Sequence, residues 1–151
     1  MLIRFVWVGR TRPGPAATWI EEYRRRISRS CPVEIVEVRD ASGVGKSRAR
    51  RESRSLAGKS SGRGFVVALD ERGEPMSSTA FAAFLERALG RAPEVSFVLG
   101  GPEGLTEELV RGADARMSLS RLTLPHELAR VVLLEQVYRA FSILKGTPYH
   151  R

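Results

Sequence analysis

Short runs of β-branched and aliphatic residues alternate with amphipathic stretches along the whole chain, and this alternation is what most constrains the fold. Four runs have the length and composition of strands, and a weaker fifth candidate follows them. They are Leu2–Val8, Val33–Val38, Phe65–Leu69, Val95–Leu99 and Met117–Leu119. The third and fourth runs are almost continuously apolar, which is typical of strands buried on both faces of a sheet.

Helical periodicity fills the intervals between these runs. Apolar side chains recur at helical spacing over Ala16–Ser28, Ser78–Leu89 and Pro125–Lys145. In the last of these, the proline at the start and Gly146 after the end are typical helix boundaries. The alternation predicts a single α/β domain over residues 1–151, with a parallel-rich sheet and helices on both of its faces.

Positive charge is concentrated in the first part of the chain. Residues 1–63 carry 15 basic and 6 acidic side chains, whereas residues 64–151 carry 10 and 11. Most of the basic side chains are arginines, whose planar guanidinium groups match phosphate oxygens, so the charge suggests a nucleic-acid partner. The alternative is an arginine-rich but merely solvated surface, since charge bears on association and not on the fold.

The segment from Ser42 to Gly64 departs from the rest of the chain, because basic residues are scattered there among serines and glycines and Glu52 is the only acid. The basic residues are Lys46, Arg48, Arg50, Arg51, Arg54, Lys59 and Arg63. We predict a basic helix flanked by glycine loops. Arg50, Arg51 and Arg54 are its candidate RNA contacts.

The cysteine count and the first residues of the chain indicate the cellular compartment. Cys31 is the only cysteine, which excludes an intrachain disulfide framework and a multi-cysteine zinc site and suits a reducing compartment. The apolar opening is interrupted by Arg4 and is too short for a signal peptide or a membrane span. We therefore expect a cytoplasmic protein with no membrane segment. The sequence contains no metal-ligand spacing, so we expect no bound metal.

Three partial motif matches fail on their context. Gly45-Lys46-Ser47 lacks the phosphate-loop glycine five positions earlier, where Asp40 stands instead. Gly58-Lys59-Ser60-Ser61-Gly62 precedes a predicted strand, whereas a G-x-S-x-G nucleophile elbow follows one. Arg63-Gly64-Phe65 lacks the aromatic residues that an RNA-recognition strand needs after it.

Two segments that link a predicted strand to a predicted helix are better candidates. Residues 97–105 read FVLGGPEGL, and glycines at such a turn let the backbone approach a ligand closely. Residues 118–126 read SLSRLTLPH and mix apolar side chains with free backbone groups, which suits an adenine and a short amphipathic ligand. Both lie where ligands of open α/β sheets bind, although a plain turn and a plain helix start are the alternatives. We expect a branched side chain at Gly101 to enter the space of such a ligand.

Three segments, in this order and spacing, resemble the RlmH family. They are LGGPEG at 99–104, SLSRLTLPH at 118–126 and the ending Tyr149-His150-Arg151, and the resemblance extends over essentially the whole chain. The family consists of bacterial SPOUT-class methyltransferases that act on a pseudouridine of large-subunit ribosomal RNA. The resemblance implies methylation of N3 of a pseudouridine in 23S rRNA. Since the predicted single domain has no appended RNA-binding domain, we expect it to recognise a large folded target, the assembled ribosome.

The resemblance also implies a C-terminal trefoil knot, a homodimer and S-adenosylmethionine bound in the knot among three loops. In this sequence the loops correspond to Leu69–Asp70, Gly100–Gly104 and Arg121–His126. The cofactor-binding residues implied in this way are Leu69, Asp70, Gly100, Gly101, Gly104, Arg121, Leu122, Thr123, Leu124, Pro125 and His126.

The implied reaction needs an imide nitrogen that has lost its proton. A nearby arginine would stabilise that anion and lower its pKa, and the candidates are Arg130, Arg139 and Arg151. For Arg130 and Arg139 the alternative is a helical ion pair with Glu127 and Glu135, respectively. The general base is either His150 or water, since histidine titrates near neutral pH. Arg139, His150 and Arg151 are the catalytic residues that we predict.

The last residues form a tail beyond the long helix. Gly146 ends the helix and Pro148 prevents it from restarting, so we expect the tail to leave as an extended strip. Tyr149, His150 and Arg151 can stack on a base, move a proton and hold a phosphate, and we predict that they contact RNA beside the transferred methyl group. The alternative is a frayed tail without function.

Two alternatives for the protein as a whole stay open. One is a ribosome-binding or RNA-binding protein that retains the knotted fold without catalysis. The other is a SPOUT methyltransferase with a different RNA target.

Overall fold

The computed structural model describes residues 1–60, 62 and 64–151, which form a five-stranded sheet with helices on both faces. The strands are β1 Leu2–Val8, β2 Val33–Val38, β3 Phe65–Pro75, β4 Glu94–Leu99 and β5 Ala115–Ser118. The helices are α1 Pro15–Ile27, α2 Gly45–Ser60, α3 Ser78–Arg91, α4 Glu107–Gly112 and α5 His126–Lys145. The sheet order is β2-β1-β4-β3-β5, and every neighbouring pair is parallel. The predicted α/β architecture is therefore confirmed.

The two faces of the sheet have separate apolar cores. Ile3, Phe5 and Trp7 of β1 are buried in a large cluster with side chains of α1, α3 and α5. Val6 and Val8, which point to the other face, pack in a smaller cluster with Leu56 of α2. This alternation follows from the period of two along a strand, and it places α2 on the opposite face from α5.

β3 is longer than predicted. The apolar pattern ends at Leu69, but pairing with β5 resumes at Glu74 after an irregular stretch. At Gly73 a Cβ atom would lie 2.6 Å from the carbonyl carbon of Met117, so only glycine fits between the two strands. The polar sequence of residues 70–75 concealed this extension, because an exposed strand end carries no apolar signal.

Helix boundaries agree closely with the sequence signals. The side chain of Ser77 caps α3 by accepting a hydrogen bond from the Ala80 N–H at 3.1 Å. α5 begins at His126, with Pro125 just before it, and ends at Gly146, whose φ of +67° is left-handed. The predicted basic helix is present as α2. Ser61 and Arg63, which belong to the glycine loop predicted after this helix, lie outside the described residues.

α5 packs against both α1 and α3 after the chain has crossed from β4 over β3 to β5. The trefoil knot that the resemblance implies is compatible with this course and stays a prediction. In the part of the chain that the structure describes, no helix has the length and apolar character to cross a membrane.

Candidate functional site

A cavity of about 470 Å³ opens at the carboxyl ends of β3 and β4, next to the end of β5. Residues 69–72, 99–105, 118–120 and 122–124 form its walls, and His126, Ala129 and Arg130 of α5 complete it. Ligand sites of proteins have volumes of roughly 300–1,000 Å³, so the cavity can hold a nucleoside-sized molecule. It lies where the strand ends of an open parallel sheet bind ligands.

Residues of the three loops that the resemblance implies, Leu69–Asp70, Gly100–Gly104 and Arg121–His126, come together at this cavity. Nine of the eleven predicted cofactor-binding residues line it: Leu69, Asp70, Gly100, Gly101, Gly104, Leu122, Thr123, Leu124 and His126. The other two do not, because Arg121 is exposed beside it and Pro125 forms the residue that precedes α5. Contact of these residues with a cofactor stays a prediction.

The turn after β4 is folded back on itself. We call residues 100–106 the glycine loop. The Gly104 N–H donates to the Gly101 carbonyl at 2.9 Å, and Gly104 has a left-handed φ of +73°. A Cβ atom at Gly100 would lie 2.7 Å from the carbonyl carbon of Gly104, so this close return of the chain requires glycine at position 100.

The expectation for Gly101 needs correction. A Cβ atom there would lie 2.9 Å from Oε1 of Glu52 and 3.2 Å from Cγ1 of Val8, both of which are buried. A side chain at position 101 would therefore enter the interior between the glycine loop and α2. It would not extend into the space of a ligand.

Asp70 is bound to two arginines at the wall of the cavity. Its carboxylate accepts hydrogen bonds from the Arg72 backbone N–H at 2.9 Å, from the Arg72 guanidinium, and from Arg116 Nη2 at 3.2 Å. Burial alone would raise the pKa of Asp70, but the hydrogen bonds and charges of the two arginines outweigh it and lower that pKa. Asp70 is therefore an anion near neutral pH. No sequence pattern singled out Arg72 as its partner.

Arg130 is buried at the back of the cavity and is tied to the end of β1. It donates to the Val8 carbonyl at 2.5 Å and to Oγ1 of Thr11 at 2.9 Å, and it lies 4.9 Å from the centre of the Trp7 ring. Desolvation lowers the pKa of its guanidinium. The alternative ion pair with Glu127 is not formed, because that carboxylate accepts from the Arg12 N–H instead.

Arg139 does form the helical ion pair that was its alternative interpretation. Its Nε and Nη2 donate to Oε1 of Glu135 at 2.9 and 2.5 Å. The remaining Nη1 lies 3.2 Å from Nδ1 of His150. Since a guanidinium can only donate, Nδ1 must accept in this bond, and a neutral His150 then carries its proton on Nε2.

The tail does not leave as an extended strip. The Tyr149 hydroxyl donates to Glu135 at 3.1 Å and lies 3.4 Å from the Tyr23 hydroxyl, while the two rings of Tyr149 and Tyr138 meet edge to face. Burial, followed by these two partners, raises the pKa of Tyr149. The tail is thus folded back onto α1 and α5, with Arg151 exposed at its end.

Tail and cavity are well separated within one chain. Residues 149–151 do not line the cavity. Arg139, against which His150 rests, follows His126 by thirteen positions of α5, which corresponds to about 20 Å along the helix axis. The predicted catalytic residues therefore lie at the far end of α5 from the predicted cofactor site of the same chain.

The arginines of α2 fall into two groups. Arg50 and Arg54 are exposed, and neither forms an ion pair within the described residues. Arg51 instead donates to the Ser42 carbonyl at 2.5 Å and weakly to that of Ser47, so it braces the loop before the helix. Glu52 is fully buried, and its position as the lone acid of a basic segment was the available signal.

The described residues, which omit only positions 61 and 63, contain no group of three or more His, Cys, Asp or Glu side chains arranged to hold a metal ion.

Comparisons with known proteins agree with this geometry. A family model described as "Predicted SPOUT methyltransferase" matches residues 1–150. A "Ribosomal RNA large subunit methyltransferase H" of Anaeromyxobacter sp. (strain K) is 43% identical over 153 residues and covers 100% of both chains. A protein of the same name from Geobacter sulfurreducens is 41% identical and covers 99% of both chains.

Solved structures show the same fold at low sequence identity. A probable methylase family protein from Haemophilus influenzae Rd KW20 has a TM-score of 0.61 and 13% identity, covering 99% of this chain and 70% of its own. A tRNA (m1G37) methyltransferase from Aquifex aeolicus has a TM-score of 0.53 and 16% identity, covering 99% and 73%.

The parallel sheet, the cavity at its carboxyl edge and these matches define the class of SPOUT methyltransferases, which confirms the predicted fold class and the predicted enzyme class. Within that class, the chain belongs to the ribosomal RNA large subunit methyltransferase H family. The family resemblance of the three sequence motifs is thereby confirmed.

Proposed function

We propose that this protein transfers the methyl group of S-adenosylmethionine to N3 of a pseudouridine in 23S ribosomal RNA, acting as a cytoplasmic homodimer on the assembled ribosome. The observation that carries the proposal is that one cavity at the carboxyl edge of the sheet is lined by residues of all three loops that the resemblance implies, Leu69–Asp70, Gly100–Gly104 and Arg121–His126. The names of the full-length relatives support large-subunit rRNA as the substrate.

The lining of the cavity fits S-adenosylmethionine. Leu69, Leu99, Leu122 and Leu124 offer apolar surface for an adenine. The Asp70 carboxylate lies in one wall, where its charge is paired with Arg72 and Arg116. The turns at 100–105 and 118–124 contribute backbone groups that can accept or donate hydrogen bonds to the polar ends of the ligand. When bound, S-adenosylmethionine supplies an electrophilic methyl group on a positively charged sulfur.

The chain promotes transfer by orientation and by exclusion of water. Methyl transfer to an anionic imide nitrogen neutralises charge, so a site of low dielectric favours it, and alignment of the two centres supplies much of the acceleration. With Nδ1 bound to Arg139, His150 offers an N–H at Nε2. We therefore assign His150 and Arg151 to holding the imide oxygens, and water takes the proton from N3.

A homodimer would reconcile the cavity with the distant tail. Within one chain the two are separated by about 20 Å along α5, so a site that uses both needs the tail of a second copy. Leucine side chains are exposed near the cavity at Leu122 (77%) and at Leu128 on α5 (46%). Burial of such apolar surface favours association between copies.

Mass spectrometry of 23S rRNA from cells that lack this protein tests the proposal. We expect one methylpseudouridine to be replaced by unmodified pseudouridine and to return when purified protein and S-adenosylmethionine are added to the isolated ribosomes. An unchanged modification pattern would contradict the assigned reaction. If the protein still bound ribosomes but not S-adenosylmethionine, the alternative of a non-catalytic binding protein would be favoured.

A further inference from the structure

The buried face of α2 lies directly beneath the glycine loop. Glu52 is 0% exposed and Ser53 is 3% exposed, although both belong to a helix whose other residues are largely polar and basic. Neither side chain lines the cavity itself. Two adjacent polar side chains thus occupy an interior that apolar residues could fill, and their contacts show what they do there.

Glu52 contacts the start of the glycine loop. Its Oε1 would lie 2.9 Å from a Cβ atom at Gly101, so the carboxylate is packed closely against that residue. Its Oε2 accepts a hydrogen bond from the Ala41 N–H at 3.1 Å. The remaining charge is balanced by Arg48, whose Nε lies 3.5 Å from Oε1, although neither of these two buried atoms has a hydrogen-bond partner in the described chain.

Ser53 contacts the end of the same loop. Its Oγ accepts a hydrogen bond from the Thr106 N–H at 3.0 Å. Thr106 is also the residue that caps α4, because its Oγ1 accepts from the Leu109 N–H at 3.3 Å. Two consecutive residues of α2 therefore contact the glycine loop at both of its ends.

We propose that Glu52 and Ser53 are positioning residues that hold the glycine loop in the conformation that receives the methyl donor. The proposal rests on the proposed function, in which this loop binds S-adenosylmethionine. Glycine residues give a loop large conformational freedom, and a loop that is already ordered loses less of it when a ligand binds. The buried carboxylate and hydroxyl supply that order from outside the cavity.

Glu52 is a costly residue for this buried position. A buried carboxylate whose ion pair is not completed by a hydrogen bond is less favourable than a well-packed apolar side chain of similar volume. At this position, however, the carboxylate accepts the Ala41 hydrogen bond of the β2–α2 connection and packs against Gly101 of the glycine loop. An apolar side chain could fill the space but could not accept the Ala41 hydrogen bond.

The test compares two serines of the same helix. Ser53→Ala removes the hydrogen bond to the glycine loop, whereas the matched control Ser60→Ala removes a bond to the Leu56 carbonyl inside α2. Both serines are buried, at 3% exposure, so the two variants differ mainly in their contact with the loop. Binding of S-adenosylmethionine and of its demethylated product is measured by calorimetry, with kcat and KM on ribosomes and the melting temperature of each variant.

We expect Ser53→Ala to weaken the binding of both ligands roughly three- to tenfold, the range given by one neutral hydrogen bond, and to raise KM for S-adenosylmethionine in proportion. At saturating S-adenosylmethionine, kcat and the KM for ribosomes should stay unchanged. Ser60→Ala should bind both ligands as the wild type does. Glu52→Met, which keeps the approximate size of the side chain but cannot accept the Ala41 hydrogen bond, should show the same split between KM and kcat.

Equal ligand affinities of Ser53→Ala, Ser60→Ala and wild type would overturn the inference, as would a fall in kcat without a change in KM. In that case the proposed function would stand, because the wild-type protein would still bind and transfer the methyl group. Failure of the wild type to bind either ligand would instead overturn the proposed function, and the inference with it.

Discussion

At the scale of single residues, the two glycines that begin the glycine loop have different neighbours. Gly100 faces the returning chain at Gly104, whereas Gly101 faces Glu52 of α2 and Val8 of β1. Position 101 therefore depends on the packing of the loop against α2 and β1, and position 100 depends on the fold of the loop itself.

Gly101→Ala should therefore act first on stability. The added methyl group has to displace the Glu52 carboxylate or Val8, and overpacking of this kind costs about 1–3 kcal/mol of unfolding free energy. We expect lower stability in urea unfolding, with weaker binding of S-adenosylmethionine as a consequence of the displaced loop.

Gly58→Ala is the matched control for this variant. Gly58 lies in α2 and a Cβ atom there would contact nothing within 4 Å, so alanine should stabilise the helix by about 0.5–1 kcal/mol. Loss of ligand binding by Gly101→Ala at unchanged stability would show that position 101 does face the ligand after all.

At the scale of elements, α2 was predicted as a basic helix, but the different roles of its arginines were not. Arg50 and Arg54 are four positions apart and share one exposed face, whereas Arg51 turns back to the Ser42 carbonyl. Helical spacing alone predicts that Arg50 and Arg54 share a face. The contact of Arg51 is not predictable in this way, because it depends on the position of the loop before α2. β3 shows the same limit, since its polar end is defined by pairing with β5 and not by its own pattern.

We expect the double variant Arg50→Ala/Arg54→Ala to weaken ribosome binding without changing the affinity for S-adenosylmethionine. Each lost phosphate contact should lower the slope of log K against log salt by roughly 0.7–0.9. Binding is measured by sedimentation with ribosomes over a series of salt concentrations.

Arg87→Ala/Arg91→Ala on α3 is a control that removes the same charge from exposed positions on the opposite face of the sheet. It should leave the salt slope nearly unchanged, and Arg51→Ala should do so too. Identical slopes for the α2 and α3 variants would mean that the arginines of α2 form only a solvated surface.

At the scale of the whole molecule, the sequence predicted the strands, the helices and the edge of the sheet where the site lies, because strand and helix periods and boundary residues are local signals. The docking of the tail is not local. Tyr149 is held by Glu135, 14 positions earlier, and lies against Tyr23, 126 positions earlier. The trefoil knot likewise depends on the path of the entire chain. Only the family resemblance predicts it, because no local sequence pattern can.

Deletion of Tyr149–Arg151 should abolish methylation of ribosomes while leaving the affinity for S-adenosylmethionine nearly unchanged. Within one chain the tail does not line the cavity and lies about 20 Å from it along the axis of α5. Loss of the tail should therefore leave the cofactor site of the same chain intact. Loss of Tyr149 also removes its hydrogen bond to Glu135, so dimerisation has to be measured alongside by light scattering.

A mixing experiment decides whether the tail acts across the subunit boundary. The tail-deleted chain is combined with a full-length Gly100→Val chain, whose side chain would collide with the backbone at Gly104 and disrupt the cavity. Each homodimer should be inactive, but a heterodimer joins the intact cavity of one chain to the intact tail of the other. We expect methylation to return on mixing, to at most about one half of the wild-type rate, because each heterodimer has one complete site.

The presence of heterodimers in the mixture is checked by mass spectrometry. If both homodimers and this mixture are inactive, the tail does not act on the cavity of the partner. Activity of the tail-deleted homodimer would exclude the tail from the reaction altogether.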